Sequence, residues 1–244
     1  MQKITLTLSI LCITALSVFA QKFNVGVLVG GSNYQGDIVQ SQILPKETNL
    51  AYGIMVRYNL TPKFDLKANF YKGKLTGSDK NFTDRANRGY SFSTNILEGG
   101  LNIEWNILGK TRFDEKGAFR KNRTPYIYTG IGAVSFTAVG KDINGNELKA
   151  SKTGANGSLV TTTPEPKTFN FMIPFGFGYK FDVNEKVTLS VEVASHVPFT
   201  DYLDNFSLGA NANRDWYVFG GVGVSYLIGA KTSKPTESGT KTFQ

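Results

Sequence analysis

The sequence predicts an all-β chain: a single eight-stranded antiparallel transmembrane β-barrel with long outer loops and one long periplasmic turn. Three observations predict it. After residue 21 no run approaches the ~18 apolar residues of a membrane helix, and none sustains helical periodicity. Apolar residues instead recur at period two, the mark of strands with two unlike faces. Several of these stretches exceed the five or six residues of a typical soluble strand and approach the roughly 9–11 that a membrane barrel strand needs.

The chain begins MQKITLTLSILCITALSVFAQ. Lys3 supplies a basic start, Ile4 to Val18 is mostly apolar, and Val18-Phe19-Ala20 offers a cleavage site before Gln21. Residues 1–20 are thus expected to be a secretory signal peptide. Its Cys12 is the only cysteine of the chain, and Leu11 before it does not suit lipidation. The exported chain therefore has no disulfide framework, and with one His it has almost no means of building a His/Cys metal site. Net charge is +8, from 27 Lys and Arg against 19 Asp and Glu. In an exported protein that excess suits anionic lipid or an acidic partner, and nucleic acid is not expected.

The strands follow in order. Lys22 to Gly31 puts Phe23, Val25, Val27 and Val29 on one face. Leu50 to Tyr58 does so with Leu50, Tyr52, Ile54, Val56 and Tyr58, and Phe64 to Lys72 with Phe64, Leu66, Ala68 and Phe70. Asn95 to Ile107 sets Leu97, Leu101, Ile103, Trp105 and Ile107 against Glu98, Asn102, Glu104 and Asn106. Pro125 to Phe136 is Gly-rich, with no clear face assignment. Phe169 to Phe181, FNFMIPFGFGYKF, carries an aromatic at nearly every second place. Val187 to Ser195 and Trp216 to Ile228 complete the set.

Eight is a closable even number, and a membrane demands closure because an open sheet edge leaves backbone groups unpaired. A soluble lipocalin-like barrel is the alternative, with the apolar face turned inward. Alternation alone does not separate the two, but strand length and aromatic density favour the membrane. The connections alternate long and short, as in outer-membrane barrels with short periplasmic turns. One breaks the pattern: Leu108 to Thr124, LGKTRFDEKGAFRKNRT, is long where a short periplasmic turn is expected. The barrel is expected over 21–228, with a polar tail at 229–244 and both termini periplasmic. Eight strands enclose little space, so Asp65, Lys67, Asn69, Glu98, Glu104, Lys180 and Glu192 are expected to fill the lumen and pair across it.

Two loop stretches stand out. GGSNYQGD, Gly30 to Asp37, leaves the first strand; Gly and Asn allow tight turns and Asp37 can bond local amides. It has no basic residue in a phosphate-loop pattern. PFTDYLDNFS, Pro198 to Ser207, precedes the last strand with Asp201 and Asp204 three apart. Acid/base catalysis needs one raised carboxyl pKa and a second anchoring group, and the sequence shows neither. A hard-cation site is conceivable from Asp201, Asp204 and Asn205, but it needs six or more oxygens in register. A structural or docking loop is the third reading.

Together the two stretches carry a resemblance. Gly31, Ser32, Asn33, Tyr34, Gln35, Gly36 and Asp37 after the first strand, and Phe199, Thr200, Asp201, Tyr202, Leu203 and Asp204 before the last, resemble the PorG-type outer-membrane barrels of the type IX secretion system. The pattern departs at Asn205 and Phe206, where an acidic residue and a Val are usual, and near His196, where a basic residue is common. The resemblance implies a non-enzymatic component, with no cofactor and no small-molecule substrate. It would work in the outer-membrane lipid with the periplasmic ring of the lipoprotein PorK and its partner PorN.

The long periplasmic turn then offers a candidate partner contact. Lys110, Arg112, Lys116, Arg120, Lys121 and Arg123 stand there against Asp114 and Glu115. Such a cluster is either a solvated loop or a contact with a periplasmic partner or with lipid phosphates. Ser195 and His196 raise the question of a lipid hydrolase. Adjacent strand residues point to opposite faces, so the two cannot pair, and His196 is expected at the rim.

Overall fold

A computed structural model describes residues 23–39, 43–83, 85–114, 118–154, 158–208 and 215–228. The expected signal peptide, the C-terminal tail and Lys116 lie outside the described residues.

The eight long strands are β1 (Phe23–Gln35), β2 (Asn49–Asn59), β3 (Phe64–Ser78), β4 (Ser91–Asn106), β5 (Arg123–Lys141), β6 (Phe169–Asp182), β7 (Val187–Pro198) and β8 (Trp216–Leu227). Each pairs antiparallel with its neighbours in sequence. β8 returns to β1 from Asn24↔Leu227 to Gln35↔Trp216, so the sheet closes and no edge is left open. β5 and β6 lose two register pairs opposite Ile173 and Pro174, where proline has no N–H to give.

The faces of the barrel decide between membrane and water. Phe171, facing out, is 68% exposed, while Lys67, facing in, is 0% exposed. Val25, Val27, Val29, Ile54, Leu101, Ile131, Phe175, Phe177, Val191, Val222 and Val224 share the exposed face. The buried face carries Arg57, Asp65, Lys67, Glu98, Glu104, Lys180 and Glu192. A soluble barrel has the reverse arrangement, so the lipocalin-like alternative falls. An apolar exterior around a charged interior is that of a transmembrane barrel.

The lumen is filled in layers. In the middle, the three cations Arg57, Lys67 and Lys180 face the three carboxylates Asp65, Glu104 and Glu192. Arg57 Nε donates to Glu104 Oε2 at 3.0 Å. Lys67 Nζ lies 3.2 Å from Glu104 and 3.1 Å from Glu192. Lys180 Nζ reaches Asp65 at 2.6 Å and Glu104 at 2.7 Å. The hydroxyl of Tyr126 donates to Glu192 at 2.7 Å, and Lys67 sits 3.6 Å from the centre of the Tyr128 ring. Gly178 and Gly176 leave room for the Tyr126 and Tyr128 rings, since a Cβ at either would press on them. All the residues expected to fill the lumen do so. Arg57, missed in the sequence, completes the charge match; alternation from Val56 and Tyr58 already put it on the inner face.

Toward the long-loop end lies a second layer, in which Glu98 accepts from Tyr217 and sits 3.0 Å from His196 Nδ1. The His196 ring stacks on Tyr217 at 5.0 Å. His196 is therefore a lumen residue rather than a rim residue, because its strand position has inward parity. Above it an apolar cluster, including Leu75, Phe92, Ile96, Val134, Phe136 and Met172, fills the wide end under the loops. β3, β4 and β5 extend past the length a membrane requires, and their ends wall this cluster. Two short strands, Ser151–Thr153 and Leu159–Thr161, and a third, Phe206–Ser207, form a small sheet over it.

Candidate functional site: the outer-loop latch

Tyr34 is the last inward-facing residue of β1 and is fully buried. Its hydroxyl lies 2.7 Å from Asp204 Oδ2 and 2.5 Å from Asp215 Oδ1. It also accepts the Asp37 backbone N–H at 3.1 Å. The two carboxylates hold the loop that carries them: Asp204 Oδ1 accepts from Phe206 N–H at 2.8 Å, and Asp215 Oδ2 from Leu203 N–H at 2.8 Å. Asp37 Oδ2 accepts from Leu208 N–H at 2.5 Å. Thr94 Oγ1 donates to the Leu203 carbonyl, tying β4 to the same loop. Gly36 is needed here, because a Cβ would collide with the Tyr34 hydroxyl and with Asp215.

The hydrogen count sets the chemistry. The Tyr34 oxygen has one proton to give and two lone pairs to receive with. It faces two carboxyl groups and one N–H. One carboxyl takes the Tyr34 proton; the other must itself be protonated and donate. Burial pushes the carboxyl pKa values of both Asp204 and Asp215 well above the usual range, and for Asp215 the charge of Asp204 adds to this. The Asp37 carboxyl is pushed up to about 6, by burial first. Burial also raises that of Asp201, which sits half-buried outside the network. The arrangement is a proton-bearing latch between the end of β1 and the β7–β8 loop. Every oxygen of Asp204 and Asp215 is occupied by the chain's own donors, which leaves no open face for a substrate.

The site joins the two stretches singled out in the sequence, but not all of their residues. Tyr34, Gly36, Asp37, Leu203 and Asp204 meet. Asp215, which the sequence reading missed, supplies the second carboxyl. It lies just before β8, and no local pattern marks it. Ser32, Asn33 and Gln35 serve a neighbouring contact. Ser32 Oγ donates to the Lys74 carbonyl at 2.7 Å, Asn33 Nδ2 to the Leu44 carbonyl at 2.9 Å, and Gln35 Nε2 to Asn33 at 3.2 Å. Gly31 lies beside Thr48. Phe199 is exposed, its N–H bonded to the Phe171 carbonyl. Thr200 Oγ1 accepts the Tyr202 N–H, and the Tyr202 hydroxyl reaches Thr162 at 3.2 Å. Asn205 adopts φ +74°, which closes the turn after Asp204. Among the described residues no group of three or more His, Cys, Asp or Glu side chains is placed to hold a metal ion.

At the short-turn end, the segment between β4 and β5 folds as a hairpin, bridged at Phe113↔Phe119. Arg112 turns inward from it. Its guanidinium donates to Asp182 at 2.5 and 3.2 Å and to Asn24 Oδ1 at 3.3 Å, and also to Thr188. The side chain is 13% exposed and caps the lumen over a cavity of about 260 Å³. Arg112 thus leaves the partner-facing set, because Asp182 and Thr188 at the strand ends offer it a buried anion. Lys110, Lys121 and Arg123 are exposed, and Arg120 is 66% exposed, 4.0 Å from Asp114.

Among solved structures, Neisserial surface protein A is similar at 9% identity and a TM-score of 0.49, with 84% of this chain and 97% of that chain covered. Ail, the attachment invasion locus protein of Yersinia pestis, is similar at 8% identity and a TM-score of 0.45, again with 84% and 97% covered. The outer membrane protein OprG from Pseudomonas aeruginosa follows at 10% identity and a TM-score of 0.40, with 84% and 96% covered. No curated protein matches the chain. The DUF6089 family, described as a domain of unknown function, matches residues 2–236, so the chain belongs to that family.

Proposed function

We propose that the chain is a non-enzymatic outer-membrane component of type IX protein secretion that couples the periplasmic ring of PorK and PorN to the outer membrane. The observation that carries this reading is the meeting of the two stretches GGSNYQGD and FTDYLDNFS on Tyr34. Tyr34 and Asp37 of the first stretch and Leu203 and Asp204 of the second are thereby tied into one buried network. In this reading the short-turn end and both termini face the periplasm. The packed lumen favours an anchor over a conduit, since it leaves no route for a polypeptide. The exposed cations of the β4–β5 hairpin, Lys110, Arg120, Lys121 and Arg123, offer a surface for the ring.

Deleting the gene and following type IX cargo in medium and periplasm, with and without complementation, tests the proposal. Cargo held in the periplasm and released by complementation supports it. Normal export of all cargo overturns it. A second reading, a general structural or adhesion barrel, draws on the loop-end cap of apolar cluster and small sheet, which makes a rigid platform at that surface. Normal export together with altered surface attachment would favour it.

A further inference from the structure

We infer that a basic groove at the base of the β4–β5 hairpin binds the phosphate of an anionic phospholipid headgroup. The groove has a volume of about 420 Å³ and is lined by Lys63, Lys110, Lys121 and Arg123, with Ile107 and Leu108 forming its apolar lip. No carboxylate lines it, and none of the four cations forms an ion pair among the described residues. Arg112 and Lys180, by contrast, are paired inside the barrel, with Asp182 and with Asp65 and Glu104. Four unpaired cations around one cleft repel one another, so the groove favours an anion.

Its position selects the anion. Arg123 belongs to the outward face of β5 and pairs in register with Phe181. Trp105 and Phe64 face each other across β3 and β4, and Tyr179 stands on β6, all on the exposed face. Aromatics at that level mark the boundary between hydrocarbon and headgroups. Ile107 and Leu108, the latter 58% exposed, continue the apolar surface to the lip of the groove. The cations therefore stand one step beyond the hydrocarbon edge, at the depth of lipid phosphates. A phospholipid would lay its chains on the apolar lip and its phosphate among the cations.

The backbone holds the groove in shape. Gly109 packs on the Pro62 carbonyl so closely that a Cβ would not fit, which sets Lys63 and Lys110 side by side. Leu108 N–H donates to Thr124 Oγ1 at 3.0 Å, Ile107 N–H to the Pro125 carbonyl at 3.0 Å, and Asn106 N–H to the Lys63 carbonyl at 2.7 Å. The cations are thus presented by a rigid frame rather than by a loose loop.

That this leaflet faces the periplasm rests on the orientation proposed above; phosphate recognition does not. The test uses the purified full chain in mixed micelles holding phosphatidylglycerol or phosphatidylcholine. Lipid retained on the protein is counted by native mass spectrometry, with a heat-modifiable gel shift as the check of folding. Wild type is expected to prefer phosphatidylglycerol, and each groove charge removed, as in Lys121→Gln or Arg123→Gln, to lower that preference about fivefold. Arg123→Lys, which keeps the charge, and Arg120→Gln, outside the groove, are expected to retain it. Equal retention of the two lipids would overturn the proposal. So would an equal loss in Arg120→Gln, or displacement of the lipid by millimolar inorganic phosphate, which would mark a free-anion site. Failure of the secretion reading would show in cargo export and leave this lipid readout unmoved.

Discussion

Tyr34 and Asp215, 181 residues apart in the chain, meet at 2.5 Å in the buried interior of the long-loop end. With Asp204 on the other side of the hydroxyl, the Tyr34 proton and one proton kept by the carboxyl pair hold the start of the barrel to its last loop. A carboxyl whose folded pKa is raised binds more protons folded than unfolded, so its stabilisation is full below the ordinary carboxylate pKa and is lost as pH rises through the raised value. For Asp37 that window runs from ~4 to about 6; for Asp204 and Asp215, also raised by burial, it likewise opens upward from the ordinary carboxylate range. Hydrogen exchange at the Leu203 and Phe206 amides, corrected for intrinsic rate, is expected to show stronger protection at pH 5 than at pH 8.5. Equal protection at both would contradict the proton kept by the carboxyl pair.

The same count predicts a non-additive pair of substitutions. In Asp215→Asn the amide oxygen can accept from Leu203 N–H while Nδ2 donates to Tyr34, so the loop is expected to persist and the pH dependence to flatten. Asp204→Asn is expected to behave alike. The double variant brings two amide donors and the Asp37 N–H to two lone pairs and leaves the Tyr34 proton without an acceptor. It is expected to lose about 1–3 kcal/mol relative to either single variant. Thermal unfolding of the four proteins in one detergent reads this out, and simple additivity would refute it.

Glu104 is expected to be the most sensitive lumen position. It bonds Arg57, Lys67 and Lys180 together. Glu104→Gln leaves three buried cations with two carboxylates, at an expected cost of about 3–5 kcal/mol. Urea titration in micelles measures it; a loss below 1 kcal/mol would mean that water enters the lumen and replaces the carboxylate.

The hairpin cations are expected to divide by role. Arg112→Ala removes the cap on Asp182 and is expected to cost about 1–3 kcal/mol without changing co-purification of PorK and PorN. Reversing Arg120, Lys121 and Arg123 to Glu is expected to weaken that co-purification while leaving barrel stability nearly unchanged. Unchanged recovery of the ring proteins would remove the hairpin from the proposed contact.

Periodicity within a strand is a local property, and so the sequence alone determined where each of the eight strands lies. The parity of Val25, Leu101 or Phe175 against Glu98, Glu104 or Lys180 likewise named the two faces. It could not say which face met water, since a soluble barrel and a membrane barrel share one alternation. The charge-filled interior decided that. Arg57 was legible by parity and overlooked among its apolar neighbours. Asp215 was not legible at all, because its meaning comes from Tyr34 at the far end of the chain. Arg112 and Arg120 carry the same charge in the same hairpin. Only the position of Asp182 at the mouth of the barrel turned one inward and left the other to solvent. Local spacing encodes secondary structure and facing, whereas hydrogen-bond partners and buried charge pairs arise only when closure of the sheet brings distant residues within 3 Å.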